Sequence, residues 1–108
     1  MYKGTIVENS LADKSILDKV QITKTWQDED WTLHDVLVEE NQLRELGKAL
    51  ADGPWYMNFW IPDSDEVKIV YKNKIFHTKI SDKSTWIEAI DYGRSIGIPE
   101  EQLDFVSK

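Results

Sequence analysis

The sequence predicts an α+β fold: a largely antiparallel sheet of about five to six strands with two helices packed on one face, in the order β-β-β-α-β-β-β-α. Three observations predict it. Short runs rich in β-branched and aromatic residues alternate along the chain, as strands do. Two stretches instead carry apolar residues at helical spacing: Leu43, Leu46, Gly47 and Leu50, then Trp86, Ala89, Ile90, Gly93 and Ile96. Turn residues punctuate both patterns, and the hydrophobic faces of neighbouring runs agree once the turns are set.

The first strand is Tyr2 to Glu8. Residues 9–19 fit a short helix or an irregular crossing anchored by Leu11, Ile16 and Leu17. Val20 to Trp26 is a strand, Gln27-Asp28-Glu29-Asp30 a polar turn, and Trp31 to Val38 the returning strand of a hairpin. The helix containing Leu43–Leu50 stops at Asp52-Gly53-Pro54, with Gly past its end and Pro behind it.

Pro54 to Ile61 is the most apolar strand. Trp55, Met57, Phe59 and Ile61 share one side of it; Tyr56, Asn58 and Trp60 share the other. Glu66–Lys72 and Ile75–Ile80 form a second hairpin about Asn73-Lys74, where Asn tolerates positive φ. That turn sets Lys72 opposite Ile75, Tyr71 opposite Phe76, Ile69 opposite Thr78 and Val67 opposite Ile80. With residues 62–66 all in the preceding loop, Ile61 faces Val67, Phe59 faces Ile69 and Met57 faces Tyr71. One continuous apolar face results, and Tyr56, Asn58, Trp60, Lys68, Val70, His77 and Lys79 occupy the other.

The last helix spans 84–96. Ser84 or Thr85 caps it, and Thr85 with Glu88 forms a capping box. Gly97 ends it, with Ile98 as the hydrophobic residue beyond the cap. Pro99–Leu103 reads as a short helical turn, and Leu103 and Phe105 dock the tail.

Composition narrows the function. The chain has 108 residues, of which 41% are hydrophobic, and a net charge of −7. These values fit one globular domain over residues 1–108. The acidic balance disfavours binding to nucleic acid or an anionic membrane surface. There is no Cys, which excludes disulfide frameworks, thiolate zinc sites and thiol nucleophiles. No apolar run reaches the roughly 20 residues of a membrane span. Met1-Tyr2-Lys3-Gly4-Thr5 opens no signal-peptide core, so the expected location is cytoplasmic.

The punctuation resembles that of a family of small prokaryotic proteins with no established activity. The shared stretches are Tyr2-Lys3-Gly4-Thr5-Ile6, Trp31-Thr32-Leu33-His34-x-Val36, Pro54-Trp55-Tyr56-x-x-Phe59 and Tyr71-Lys72-Asn73-Lys74-x-Phe76. The longest is Tyr92-Gly93-x-Ser95-x-Gly97-Ile98-Pro99-x-x-Gln102-Leu103-Asp104-Phe105. Gly53 departs from the pattern, which has a His before Pro-Trp-Tyr. The resemblance implies one intact domain and assigns no functional residue.

Motifs for chemistry are few. Asp28-Glu29-Asp30 and Asp63-Ser64-Asp65-Glu66 lack EF-hand spacing and read as solvated hairpin tips. No Ser lies in Gly-x-Ser-x-Gly, and no Walker or Gly-x-Gly-x-x-Gly loop is present. His34 and His77 are the only histidines, too few for a metal site without carboxylates such as Asp35. No catalytic residue, metal or cofactor is therefore assigned.

Five Trp in so short a chain is the outstanding feature. Trp55 and Trp86 read as core, and Trp26 and Trp31 as cross-strand partners near the first turn. Tyr56, Trp60, Lys68, His77 and Lys79, with His34, make a candidate aromatic and basic sheet face. Surplus aromatics without catalytic motifs point to a non-enzymatic protein-binding or regulatory module, its partner an unidentified protein or a second copy of the chain. Two alternatives remain: a small enzyme or ligand binder with a site near His34, Tyr56 and His77, and a single-strand nucleic-acid binder.

Overall fold

The computed structural model describes residues 1–99, 102 and 103. Six strands form one sheet: β1 (Tyr2–Val7), β2 (Gln21–Asp28), β3 (Trp31–Val38), β4 (Met57–Trp60), β5 (Glu66–Tyr71) and β6 (Lys74–Lys79). Their spatial order is β2-β3-β1-β4-β5-β6, with every neighbouring pair antiparallel. Helix α1 (Glu40–Ala49) follows β3, and α2 (Ile87–Ser95) follows β6. The α+β class holds; in detail, 3₁₀ turns stand between β1 and β2 and before α2.

Residues 9–19 cross from β1 to β2 through two short 3₁₀ turns, which bury Leu11 and Ile16. β2 is an edge strand, exposed along most of its length. A bulge between Ile22 and Lys24 shifts its register against β3, where the Thr23 hydroxyl donates to the Asp35 carbonyl at 3.2 Å. The hairpin turns at Glu29, whose φ is +57°.

Helix α1 starts where Gln42 Oε1 accepts from the Glu39 N–H at 2.8 Å, satisfying an amide at the helix entry. It ends earlier than Gly53-Pro54 implied. Leu50 turns extended and bridges to Leu11, while the Ala49 carbonyl accepts from the N–H groups of Ala12 and Asp13. Tertiary partners thus take over the last helical carbonyls.

Two registers differ from those expected. In the second hairpin Tyr71 pairs with Lys74, Ile69 with Phe76 and Lys68 with His77. The turn is Lys72-Asn73, with Asn73 at φ +64°, a shift by two residues that leaves every side chain on its expected face. Between β4 and β5 the slip is one residue: Trp60 pairs with Val67, Phe59 with Lys68 and Met57 with Val70. The cause is the connection. The Ser64 N–H donates to the Ile61 carbonyl, and Asp63 sits at φ +65°, so Ile61 joins the turn instead of extending the strand.

A one-residue slip exchanges the faces of β4. Met57 and Phe59 therefore join Val70, Ile6, Val36 and Val38 beneath Leu43 and Leu46 of α1 and Leu50 just past its end. Tyr56 and Trp60 join Val67, Ile69, Tyr71 and Phe76 beneath Trp86 and Ala89. The two helices accordingly cover opposite faces of the sheet, not one. Apolar side chains on both sides of β4 and β5 require this arrangement, since each face must be shielded from water.

Helix α2 is shorter than expected and is preceded by a 3₁₀ turn over Lys83–Trp86. The capping box does not form. Asp82 caps the turn by accepting from the Ser84 N–H and hydroxyl, and Thr85 Oγ1 donates to the Asp82 carbonyl. The expected stop is present: Gly97 takes φ +93° and the Ile98 N–H reaches the Gly93 carbonyl at 3.0 Å, closing a Schellman motif. Leu103 is buried against this end; Phe105 lies outside the described residues.

Candidate functional site

The exchange of faces on β4 separates the residues grouped as one aromatic and basic surface. Tyr56 and Trp60 lie on the side of α2. Lys68, His77 and Lys79 lie on the side of α1. The mixed face does not exist as one surface.

His34 stands apart from both. It pairs with Ile6 in the sheet and is 6% exposed. Its Nε2 lies 2.9 Å from Glu8 Oε1, and its Nδ1 lies 2.8 Å from Thr25 Oγ1. Both ring nitrogens are engaged, so the side chain ties the turn after β1 to β2. His77 is on β6, four strand steps away, about 19 Å at about 4.8 Å per step. His34, Tyr56 and His77 do not converge, which removes the geometry that an enzyme using all three requires. Among the described residues, no three His, Asp or Glu side chains gather as metal ligands. Nor is any described helix long and apolar enough to cross a membrane.

Two concave surfaces remain. The first lies on the α2 side, over the strands that α2 leaves uncovered. Because β1 separates β3 from β4, the start of β3 and the segment entering β4 rise on either side of β1. Trp31 and Trp55 meet there edge to face, ring centroids 5.6 Å apart. With Tyr56, Trp60, Val7 and Leu33 they line a shallow groove of about 410 Å³. Trp31 is 39% exposed, and Trp55, Tyr56 and Trp60 are half-buried. The Tyr56 hydroxyl donates to the Gln102 carbonyl, which fixes the ring at one wall. Asp35 accepts from the Thr5 hydroxyl at 2.7 Å on the same face.

The sequence pattern puts Tyr56 and Trp60 in a site, Trp31 beside Trp26 and Trp55 in the core; Trp55 does pack against the α1-side core, and it also meets Trp31 in the groove. Alternation along each strand gave no signal for the Trp31–Trp55 contact, because it depends on β1 inserting between two strands distant in sequence.

The second concavity lies on the α1 side, between that helix and the β5–β6 hairpin, with a volume of about 900 Å³. Glu40, Arg44 and Lys48 form one of its walls at helical i, i+4 spacing; Ile75 and His77 form the other. The Tyr2 hydroxyl donates to Glu40 Oε1 at 3.1 Å. Burial, then this bond and the carboxylate charges of Glu40 and Glu66, push the Tyr2 phenol up to about 12.

No family model and no solved structure matches the chain. Part of it is similar to 1,4-alpha-glucan branching enzymes GlgB of Prochlorococcus marinus. In strain MIT 9515, identity is 35% over 51 residues, 47% of this chain and 7% of the enzyme. In strain CCMP1986 it is 38% over 39 residues, 36% of this chain and 5% of the enzyme. The chain thus matches only a small fraction of the length of these curated relatives.

Proposed function

We propose that this is a non-enzymatic binding module that seats an apolar segment of a protein partner in the aromatic groove. The observation that carries the reading is the convergence of Trp31, Trp55, Tyr56 and Trp60 on one open concavity. Aromatic rings held by their neighbours lose little freedom on binding and offer large contact areas, which is why Trp and Tyr dominate binding energy at interfaces. Carboxylates border the groove: Asp35 on β3, and Asp28, which pairs with Trp31. A nucleic-acid strand stacked on these rings would bring its phosphates against those charges, so the arrangement favours a neutral or cationic segment.

The test is selection of peptides from a displayed library, followed by titration of each against tryptophan emission. Selected peptides should lose at least about 30-fold in affinity in Trp31→Ala, the loss expected of a residue worth about 2 kcal/mol. Equal binding to wild type and Trp31→Ala would refute the groove as the site.

A second reading rests on the partial similarity to α-glucan branching enzymes. Aromatic faces also stack on the C–H faces of sugar rings, with nearby polar groups such as Thr5 and Asp35 taking hydroxyls. Saturable quenching by maltoheptaose, lost in Trp31→Ala, would select this reading over the protein partner.

A further inference from the structure

We propose that the groove between α1 and the β5–β6 hairpin binds a phosphate-bearing small molecule. The chain carries net charge −7, yet this groove gathers cations. Arg44 and Lys48 project from α1, and His77 stands across from them. Among the described residues neither Arg44 nor Lys48 has a carboxylate within ion-pair distance. Lys74 borders the groove only with its stem and backbone, because its ammonium lies on the α2 side, 5.2 Å from the Phe76 ring centre and 5.4 Å from that of Tyr92. Glu40, the acid in the lining, stands at the start of the helix and is engaged by Tyr2.

Lys68 supplies an independent observation. It is 6% exposed, on the same sheet face and directly paired with His77. Its ammonium donates to His77 Nδ1, and among the described residues no carboxylate lies within ion-pair distance. Taking an ammonium out of water is costly unless an opposite charge compensates. An ammonium has no lone pair, so Nδ1 must accept, and the ring proton sits on Nε2. His77 therefore turns an N–H donor away from Lys68, and an anion accepting it would bring a counter-charge towards the buried lysine.

The chemistry of the lining selects phosphate. A phosphate monoester carries nearly two negative charges and several acceptor oxygens. Arg44 offers a planar fork suited to two of them, and Lys48 adds a point charge. Leu43 and Ile75 give the groove apolar lining for an organic group, and its volume lies within the range of small-molecule sites. A long polyanion is disfavoured, because Glu39 at the helix cap and Glu45 on the helix lie outside the groove lining and the chain as a whole repels it.

The experiment is titration of the labelled protein with inorganic phosphate and with phenyl phosphate at fixed ionic strength, read in amide and imidazole NMR spectra. Citrate and sodium chloride serve as comparison anions. Saturable shifts at Arg44, Lys48 and His77 are expected, with phenyl phosphate binding more tightly than inorganic phosphate. Arg44→Ala and Lys48→Ala alter exposed helix positions, so the free protein should keep its melting temperature while phenyl phosphate affinity falls at least about five-fold in each, a loss of about 1 kcal/mol. Shifts reproduced by chloride, or affinity unchanged in both variants, would overturn the site. Citrate binding more tightly than either phosphate would overturn the choice of ligand. Inorganic phosphate binding as tightly as phenyl phosphate would overturn the organic group.

Discussion

Gly4 is where the two halves of the sheet meet, and replacing it with alanine tests that junction. Gly4 on β1 pairs directly with Phe59 on β4. A Cβ there would stand 2.4 Å from Phe59 Cδ1, 2.7 Å from Cε1 and 2.8 Å from the Asn58 carbonyl oxygen. Phe59 is 0% exposed, packed beneath α1, so its ring has no open space to enter. Overpacking of this kind costs about 1–3 kcal/mol. Alanine recovers about 0.5–1 kcal/mol, because it sacrifices less backbone freedom than glycine on folding. A net destabilisation of about 1 kcal/mol is expected. Unfolding entropy of about 2.1 cal/mol/K per residue gives about 0.23 kcal/mol/K for the whole chain, so the melting temperature should fall by about 4 °C. Urea unfolding of Gly4→Ala, Phe59→Leu and the double variant completes the assay. If the ring contact is the cause, trimming it relieves the clash, and the double variant should exceed additivity by about 1–2 kcal/mol. A melting temperature within about 2 °C of wild type, or strict additivity, would refute the close packing of β1 on β4.

Three further outcomes follow from the same structure. Tyr71→Phe removes a buried hydroxyl that donates to the Ala89 carbonyl at 2.7 Å, and should cost about 1–2 kcal/mol in urea unfolding by leaving that carbonyl unpaired. Burial, then the charges of Tyr56 and Tyr92, raises the Tyr71 phenol far above its ordinary range, and burial with Glu40 raises that of Tyr2 to about 12. A phenol raised in the fold contributes stability fully below its unfolded value of about 10 and loses it as pH rises through the folded one. Stability should therefore decline from pH 10 to 12, followed by phenolate absorbance, and decline less steeply in Tyr2→Phe. On the acid side, hydrogen bonds from the Ser81 hydroxyl and N–H hold Asp65 below the usual carboxylate range. Its contribution is present above the unfolded value and lost as pH falls through the folded one, so Asp65→Asn should flatten the acid limb of the stability profile.

The strands were legible because each announces itself locally. Trp31–Val38 emerges with the bounds that alternation assigns, and Gly97-Ile98 ends α2 with the expected motif. Where the answer depended on parity, one residue decided it. Counting Ile61 as strand aligned Phe59 with Ile69; the Ile61–Ser64 turn aligned it with Lys68 and reversed the β4 face. That reversal divided the expected aromatic and basic surface and placed the helices on opposite sides. Nonlocal partners left no trace in local pattern. Glu8 reaches His34 across 26 positions, and Trp55 reaches Trp31 only because β1 lies between their elements.

The bulge in β2 bears on how the molecule behaves in a crowded solution. An eight-residue edge strand with Ile22 and Trp26 is a template on which a second copy can add a strand, and then a third. The irregularity at Thr23 interrupts the even spacing of amide and carbonyl groups that such stacking needs, and Lys24 beside it would place like charges together in successive layers. At the opposite margin, the Lys79 N–H donates to the Thr85 hydroxyl and the Lys79 carbonyl accepts from the Trp86 indole. The bulge in β2 and the occupied end of β6 thereby leave Ile22, Trp31 and Ile80, exposed though they are, beside borders that make poor seeds for fibrils.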